Sequence, residues 1–287
     1  MLAAIAVGPG EAPGTQSVWL SWSDAFSGSL TIGAAGAQVT GLGAVGPFTT
    51  YYGLPGSLAG DYGDIAVGPN GQVMVTYQNL TSGAGPDTLM VNTKMPGAAS
   101  FGPAVAVTTT QVGSYLGIPA QPNRTIDAEA NLAWDHSGGP HHGRVYLVYT
   151  DEVGPAADFN TNILVRYSDD NGATWSTPVQ VNDDATTHSQ FLPAIAVDQT
   201  TGNVGVTWYD ARNSATNSTV QVFGSVSADF GASFEPNVQI SAGTTDATVA
   251  AAGTFNLGTP HDRALRQQPL GKADAGDHRR AVRLRAR

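Results

Sequence analysis

With 287 residues and 41% hydrophobic content, the chain suffices for one large domain or two small ones and can bury a core. Charged residues make up 13%, about half the usual share, and the formal net charge is −10. Eight of the 13 Lys and Arg lie in 261–287 (Arg263, Arg266, Lys272, Arg279, Arg280, Arg283, Arg285, Arg287), leaving five against 20 acidic residues before them. Such a body repels nucleic-acid phosphates and anionic membranes, so neither is expected as a partner. The absence of cysteine excludes disulfides and thiolate metal sites. No apolar run reaches bilayer length, and Met1–Val7 is too short for a signal peptide and lacks its charged start and cleavage site.

Glycine (35) and proline (17) suit many short strands joined by turns. In chain order, Ile5–Pro9 (I-A-V-G-P) returns as Ile65–Pro69, with Asn131–Asp135 (N-L-A-W-D) and Ile195–Gln199 (I-A-V-D-Q) as third and fourth members; the starts lie 60, 66 and 64 residues apart. A longer apolar run follows each: Val18–Trp22, Val73–Tyr77, Val145–Tyr149 and Val204–Tyr209. A third strand is predicted at Leu30–Ile32, Leu89–Val91, Ile163–Tyr167 and Val220–Val226, and a fourth at Val39–Leu42, Ala104–Val107, Val179–Val181 and Val238–Ile240. No helical periodicity appears. The expectation is an all-β chain, a β-propeller of four-stranded antiparallel blades over about 3–45, 63–108, 130–182 and 192–241, within a domain spanning 1–259. A β-sandwich also has short strands, but it gives no reason for a period that resets four times. Residues 260–287 lose the alternation and reverse the charge sign, which reads as a disordered end or an out-of-frame segment.

Two turns stand out. Ser168–Trp175 reads S-D-D-N-G-A-T-W between two strand-like runs, and Ser227–Phe234 (S-A-D-F-G-A-S-F) follows 59 residues later. In each, an aspartate (Asp170, Asp229) can accept from backbone N–H groups ahead of it. Gly172 and Gly231 supply a positive φ, Thr174 and Ser233 add a hydroxyl, and Trp175 and Phe234 offer a flat ring to bury. The spacing S-x-D-x-G-x-T-W resembles the Asp-box, or BNR repeat, of the sialidase-like β-propellers of the neuraminidase superfamily. That resemblance implies that these residues are structural and remote from the catalytic centre. Because propellers of this kind have six blades, it implies a partial copy here. It also implies secretion.

In a four-stranded meander, the turns between first and second and between third and fourth strands share one face. The opposite face, the mouth, takes the remaining connections. Asp24, Asp151, Glu152, Asp210 and Arg212 fall at the mouth, with Gln78 and Asn79 in the second repeat. The inter-blade connections add Tyr51, Tyr52, Asp61, Tyr62, Tyr115, Arg124, Asp127, Glu129, His188 and Gln190. Carboxylates, tyrosines and two arginines make a polar ligand site, and Arg124, Asp151, Asp210 and Arg212 are its candidate catalytic residues. The bland alternative for each is a turn cap.

The sialidase resemblance implies an arginine triad gripping a carboxylate, a tyrosine nucleophile with a glutamate beside it, and an aspartate as acid/base. The family's F/Y-R-I-P motif is represented by Tyr115–Pro119, Y-L-G-I-P, with glycine in place of arginine. Only Arg124 and Arg212 map to the mouth; Arg144 and Arg166 lie on strands elsewhere. The implied function is a glycan-directed hydrolase of exo-sialidase type with an incomplete catalytic set. The alternative is a non-catalytic propeller binding glycan or protein. His136, His141 and His142 sit in a Gly-Gly-Pro turn, read as a turn rather than a metal site. Asp151, Asp158 and Asn160 match no defined calcium loop. Neither a phosphate-cradling glycine loop nor a G-x-S-x-G elbow is found, so no cofactor is expected. Oligomeric state is not legible.

Overall fold

The computed structural model describes residues 3–24, 30–81, 83, 85–152 and 159–247. The predicted tail at 260–287 lies outside them. Every regular element described is a β-strand, so there is no helix here long and apolar enough to cross a membrane.

The first sheet runs β1 (Ala3–Pro9), β2 (Gln16–Asp24), β3 (Thr31–Gly41) and β4 (Ala44–Val45), with β5 (Tyr52–Gly53) also on β3. The second is β6 (Gly60–Val67), β7 (Val73–Asn79), β8 (Asp87–Lys94) and β9 (Val105–Thr110). A two-stranded hairpin, β10 (Leu116–Ile118) and β11 (Gln121–Ile126), intervenes. The third sheet is β12 (Asn131–Trp134), β13 (Val145–Glu152), β14 (Thr161–Ser168) and β15 (Val179–Gln180). The fourth is β16 (Gln190–Val197), β17 (Val204–Asp210), β18 (Thr219–Ser227) and β19 (Val238–Gln239), with β20 (Thr245–Asp246) also on β18. All pairings are antiparallel, and each sheet is a meander in sequence order.

The first repeat differs from expectation. Leu30–Ile32 and Val39–Leu42 were expected as separate third and fourth strands, but Ile32 and Val39 belong to the single long strand β3, with Ala44–Val45 as the fourth. The reason lies between them: Gly33–Ala37 is G-A-A-G-A, whose small side chains hide the alternation yet are buried along the strand. The hairpin β10–β11 lies within the expected connection between the second and third sheets, where the repeat pattern marks no strand.

The first strands lie side by side, β1 with β6, β6 with β12 and β12 with β16, so the sheets stack face to face. Three apolar cores fill the junctions. Trp19, Ile32, Val73, Val75 and Tyr77 join the first and second sheets. Met74, Leu89, Val91, Leu147 and Tyr149 join the second and third. Tyr146, Val148, Val165, Val206 and Trp208 join the third and fourth. Strand β13 shows how sequence sets this up. Val145, Leu147 and Tyr149 enter one core while Tyr146 and Val148 enter the next, because successive side chains point to opposite faces. A strand buried on both faces must read as a continuous apolar run, which V-Y-L-V-Y does.

Candidate active site

The two S-x-D-x-G turns close the third and fourth sheets with the same bonds. Ser168 Oγ donates to Asp170 Oδ1 (2.7 Å) and accepts from Gly172 N (2.8 Å), while Thr174 N reaches Asp170 Oδ1 (2.8 Å) and its hydroxyl Oδ2 (2.6 Å). Ser227, Asp229, Gly231 and Ser233 repeat this, with Ser227 Oγ to Asp229 Oδ1 at 2.7 Å and Ser233 N to Asp229 Oδ1 at 2.8 Å. Both glycines have φ of 87°. Trp175 Nε1 adds a bond to Gly172 O at 3.2 Å, and Phe234 packs beside the core between the third and fourth sheets. The Asp229 carboxyl is held below its usual range chiefly by the Ser233 hydroxyl. For Asp170, slight burial is outweighed by the Thr174 and Ser168 donors, with the same net direction.

Register exposes a third, altered copy. Ser168 pairs with Val145, Ser227 with Val204 and Lys94 with Val73, so Lys94–Phe101 occupies the same place in the second sheet. There lysine replaces serine and Pro96 replaces the aspartate. The buried Lys94 ammonium instead pairs with Glu11 of the first sheet, which also accepts from Gly97 N at 3.2 Å. Phe101 fills the aromatic place, edge-on to Trp19 at 6.1 Å.

At the other end of the sheets, the four predicted catalytic residues divide among three places. Asp210 and Arg212 form one network. Asp210, 1% exposed, accepts from Trp208 Nε1 (2.7 Å), Arg212 N (2.8 Å) and Arg212 Nη2 (2.8 Å). Arg212 also donates to Asp183 (2.7 Å) and Asn237 Oδ1 (2.8 Å), and its guanidinium lies 4.4 Å from the Phe223 ring centre. Burial alone would lower the Arg212 pKa, but Asp210 and Asp183 raise it above the ordinary value. The network joins the connection after β15 to the turn before β19, tying the third sheet to the fourth. Asp151, at the end of β13, accepts from Thr110 Oγ1 (3.0 Å) and Gln111 N (2.8 Å) at the end of β9. Burial raises its pKa, against those bonds. Arg124 is half-buried on β11.

A second set of carboxylates, Asp61, Asp127 and Glu129, lies among the residues that the repeat pattern assigns to the connections between sheets. Asp127 is 2% exposed, and its Oδ1 accepts from Glu129 N at 2.7 Å. Its pKa stands well above the usual value, because burial disfavours the charge and the Glu129 and Asp61 carboxylates add to the effect. Asp61, on β6, accepts from Ser23 Oγ of β2 at 2.7 Å. Glu129 adopts φ of 44°, unusual for a non-glycine residue. The segment is pinned by the buried Gln78, whose Oε1 accepts from Ala128 N (3.0 Å) while its Nε2 donates to Asp87 (2.9 Å) and Val112 O (2.9 Å). Three segments of the chain therefore bring Ser23, Asp61, Asp127 and Glu129 together. The available signal was D-A-E immediately before a first strand, two carboxylates flanking one small residue.

The histidines are separately engaged. His136 Nε2 meets Val67 O (2.9 Å), His142 Nδ1 meets Ser137 O (2.6 Å), and His141 packs on the Phe230 ring at 4.6 Å. Burial lowers the His136 pKa. Among the described residues no group of three or more His, Cys, Asp or Glu is placed to hold a metal ion. Asp158, of the considered calcium set, lies outside the described residues.

No family model and no curated protein matches the chain. Solved structures do. The α-L-arabinanase of Penicillium chrysogenum, complexed with arabinobiose, superposes with a TM-score of 0.53 at 11% identity over 83% of this chain and 66% of that one. The leech intramolecular trans-sialidase gives 0.52 at 8% identity, over 85% and 51%. The GH93 α-L-arabinofuranosidase of Fusarium graminearum gives 0.51 at 13% identity, over 83% and 65%. The chain thus spans between half and two thirds of the length of these three structures. At such identities the likeness is one of fold, and the chain has a sialidase-like propeller fold.

Proposed function

We propose that this chain is a glycan-directed propeller of glycoside hydrolase type, with Asp127 as proton donor and Glu129 and Asp61 as the partner carboxylates beside it. One arrangement carries the reading: the buried Asp127 carboxyl, bonded to Glu129 N at 2.7 Å, lies beside the Glu129 and Asp61 carboxylates, and burial first and those two neighbours second push its pKa above the usual value. Glycoside hydrolysis needs one carboxyl that keeps its proton near neutral pH and another that stays ionised. The solved neighbours that bind arabinobiose and 2,7-anhydro-Neu5Ac support a sugar as the ligand class. In this reading the four sheets are four blades of a domain over 1–259, the two Ser-x-Asp-x-Gly turns are Asp-boxes, and Arg124 is a substrate-binding residue of the same end.

A sialidase requires arginines free to grip a carboxylate. Arg212 directs Nε, Nη1 and Nη2 to partners within the protein, which favours a sugar without a carboxylate, or the second reading, a non-catalytic glycan-binding propeller. The purified chain should be assayed against arabinobiose and the 4-methylumbelliferyl glycosides of arabinofuranose and sialic acid. Hydrolysis of one of them is expected, falling at least about 100-fold in Asp127→Asn with the melting temperature retained. Sugar binding without hydrolysis would favour the second reading. Turnover that survives Asp127→Asn and Glu129→Gln would sink the assignment.

A further inference from the structure

The junction between the first and second sheets is built differently from the two that follow. Ser168 and Ser227 open the turns that meet the second and third sheets, whereas Lys94 opens the turn that meets the first. Three residues further on, the place of Asn171 and Phe230 is taken by Gly97, which keeps the positive φ (74°) but sends no side chain toward the earlier sheet. A Cβ built there would meet nothing within 4 Å.

Beside this turn lies a cavity of about 580 Å³, walled by the first sheet on one side and by Gly71, Lys94 and Ala98 of the second on the other. Its volume is that of an ordinary small-molecule site. Part of the lining is aromatic. Trp19 pairs with Gly36 across β2 and β3, and a Cβ on Gly36 would collide with the indole, so only glycine lets the ring lie against β3. Tyr52 stands 6.2 Å from Trp19, tilted by 32°. The rest is polar, with Glu11, Gln38, Thr49 and Lys94 on the walls. Thr49 Oγ1 accepts from Gly36 N at 3.0 Å, which leaves its proton to donate. The buried Lys94 ammonium lies 5.9 Å from the Trp19 ring centre. It carries three donors, and the ion pair with Glu11 occupies one.

A ligand for this cavity must offer an apolar face to the rings and hydroxyls to the walls, and it must be uncharged. Glu11 already neutralises the ammonium, and residues 1–260 hold 20 acidic groups against five basic ones, which repels an anion. A sugar ring has the required form, with C–H groups on its face and hydroxyls at its edge. We propose that the cavity binds a neutral saccharide, its ring against Trp19 and Tyr52 and its hydroxyls on Lys94, Glu11, Gln38 and Thr49. The site lies at the end of the sheets that carries the aspartate turns. It is separate from Asp61, Asp127 and Glu129 and takes no part in the chemistry proposed for them.

Nuclear magnetic resonance on the isotope-labelled full chain tests this. The five tryptophans give five indole N–H resonances, and Trp19→Phe identifies the one from the cavity. Titration with arabinobiose, cellobiose and lactose should move the Trp19 resonance saturably for at least one of them, while N-acetylneuraminic acid should leave it in place. Lys94→Met should weaken that binding about 10-fold or more, the loss expected for bonds to a charged donor. Gln38→Ala, at an exposed position, should weaken it severalfold and decides the matter if Lys94→Met does not fold. Asp127→Asn should bind as the parent does, so failure of the catalytic reading would leave this result standing. A Trp19 resonance unmoved by all three neutral sugars, one that follows N-acetylneuraminic acid instead, or parent-like affinity in the folded variants overturns the proposal.

Discussion

The side-chain amide of Gln72 donates to Oδ1 of Asn171 at 3.0 Å, across 99 residues of sequence. Thr93 Oγ1 donates to the same residue's carbonyl at 3.0 Å. In the next sheet, Phe230 occupies Asn171's place, and its carbonyl accepts from Arg144 (3.0 Å) and Tyr146 (3.2 Å). Both Asn171 and Phe230 have positive φ, 58° and 62°, which turns the carbonyl toward the preceding sheet. Each Ser-x-Asp-x-Gly turn is thus a clasp on its neighbour as well as a hairpin closure.

Removing the hydroxyl at the centre of a clasp should cost stability. Ser168 is 2% exposed and bonds both Asp170 and Gly172. Ser168→Ala is expected to destabilise by about 1–2 kcal/mol, visible as a lower denaturation midpoint with an unchanged m-value, and to leave any sugar turnover intact.

The two glycines should differ in tolerance. A Cβ at Gly172 would lie 2.7 Å from the Met74 methyl, the tip of a flexible chain, whereas one at Gly231 would lie 2.9 Å from the ring of Tyr146. Both suffer the same backbone strain at φ 87°. Gly231→Ala should therefore lower the melting temperature more than Gly172→Ala, because a buried ring moves less readily than a thioether. Equal losses would mean that backbone strain alone sets the cost.

Arg212→Ala leaves Asp210 buried without its cation. The expected loss is about 3–5 kcal/mol, measured by urea denaturation. Arg212→Lys should recover only part of it, since an ammonium cannot reach Asp210, Asp183 and Asn237 together.

Asp127 carries a defined pH signature. Its folded pKa lies above the unfolded value of 3.8, so the folded state binds the proton more tightly. Its contribution is present below the unfolded pKa and is lost as pH rises through the folded one. Asp170, Asp183 and Asp229 are shifted the opposite way and lose their contribution as pH falls through their lowered values. Asp127→Asn should flatten the decline in melting temperature above pH 4 while leaving the acid-side loss in place.

The Lys94–Glu11 pair offers a contrast with the aspartate turns. Lys94 is buried and Glu11 half-exposed. Glu11→Ala should cost about 1–2 kcal/mol by stranding the ammonium, whereas Lys94→Met should cost less, because a thioether fills the site without a charge to desolvate. Thermal melts of the two variants compare them directly.

The repeat was legible because I-A-V-G-P and its relatives recur in phase with a second apolar run, and alternation in V-Y-L-V-Y fixes both buried faces. The boundary within β3 was not, since glycine and alanine carry no polarity contrast from which to read a face. The turns at Ser168 and Ser227 were legible through spacing; the one at Lys94 was hidden, because its carboxylate comes from Glu11, 83 residues away. At the connection end, sequence placed Asp151, Asp210 and Arg212 after strands but could not say which partners would occupy them. Asp127 stands apart through burial, and burial depends on Gln78 and on β6, both distant in sequence.

Each clasp joins a turn of a later sheet to groups of the sheet before it. Glu11 meets the Lys94 turn, Gln72 and Thr93 the Asn171 turn, Arg144 and Tyr146 the Phe230 turn, and Asp183 accepts from Asn237 N at 2.9 Å. In each case the later sheet docks onto groups that the earlier one already holds in position. Emergence from the ribosome presents the sheets in that same order, so the partners of each later turn are synthesised before the turn that meets them.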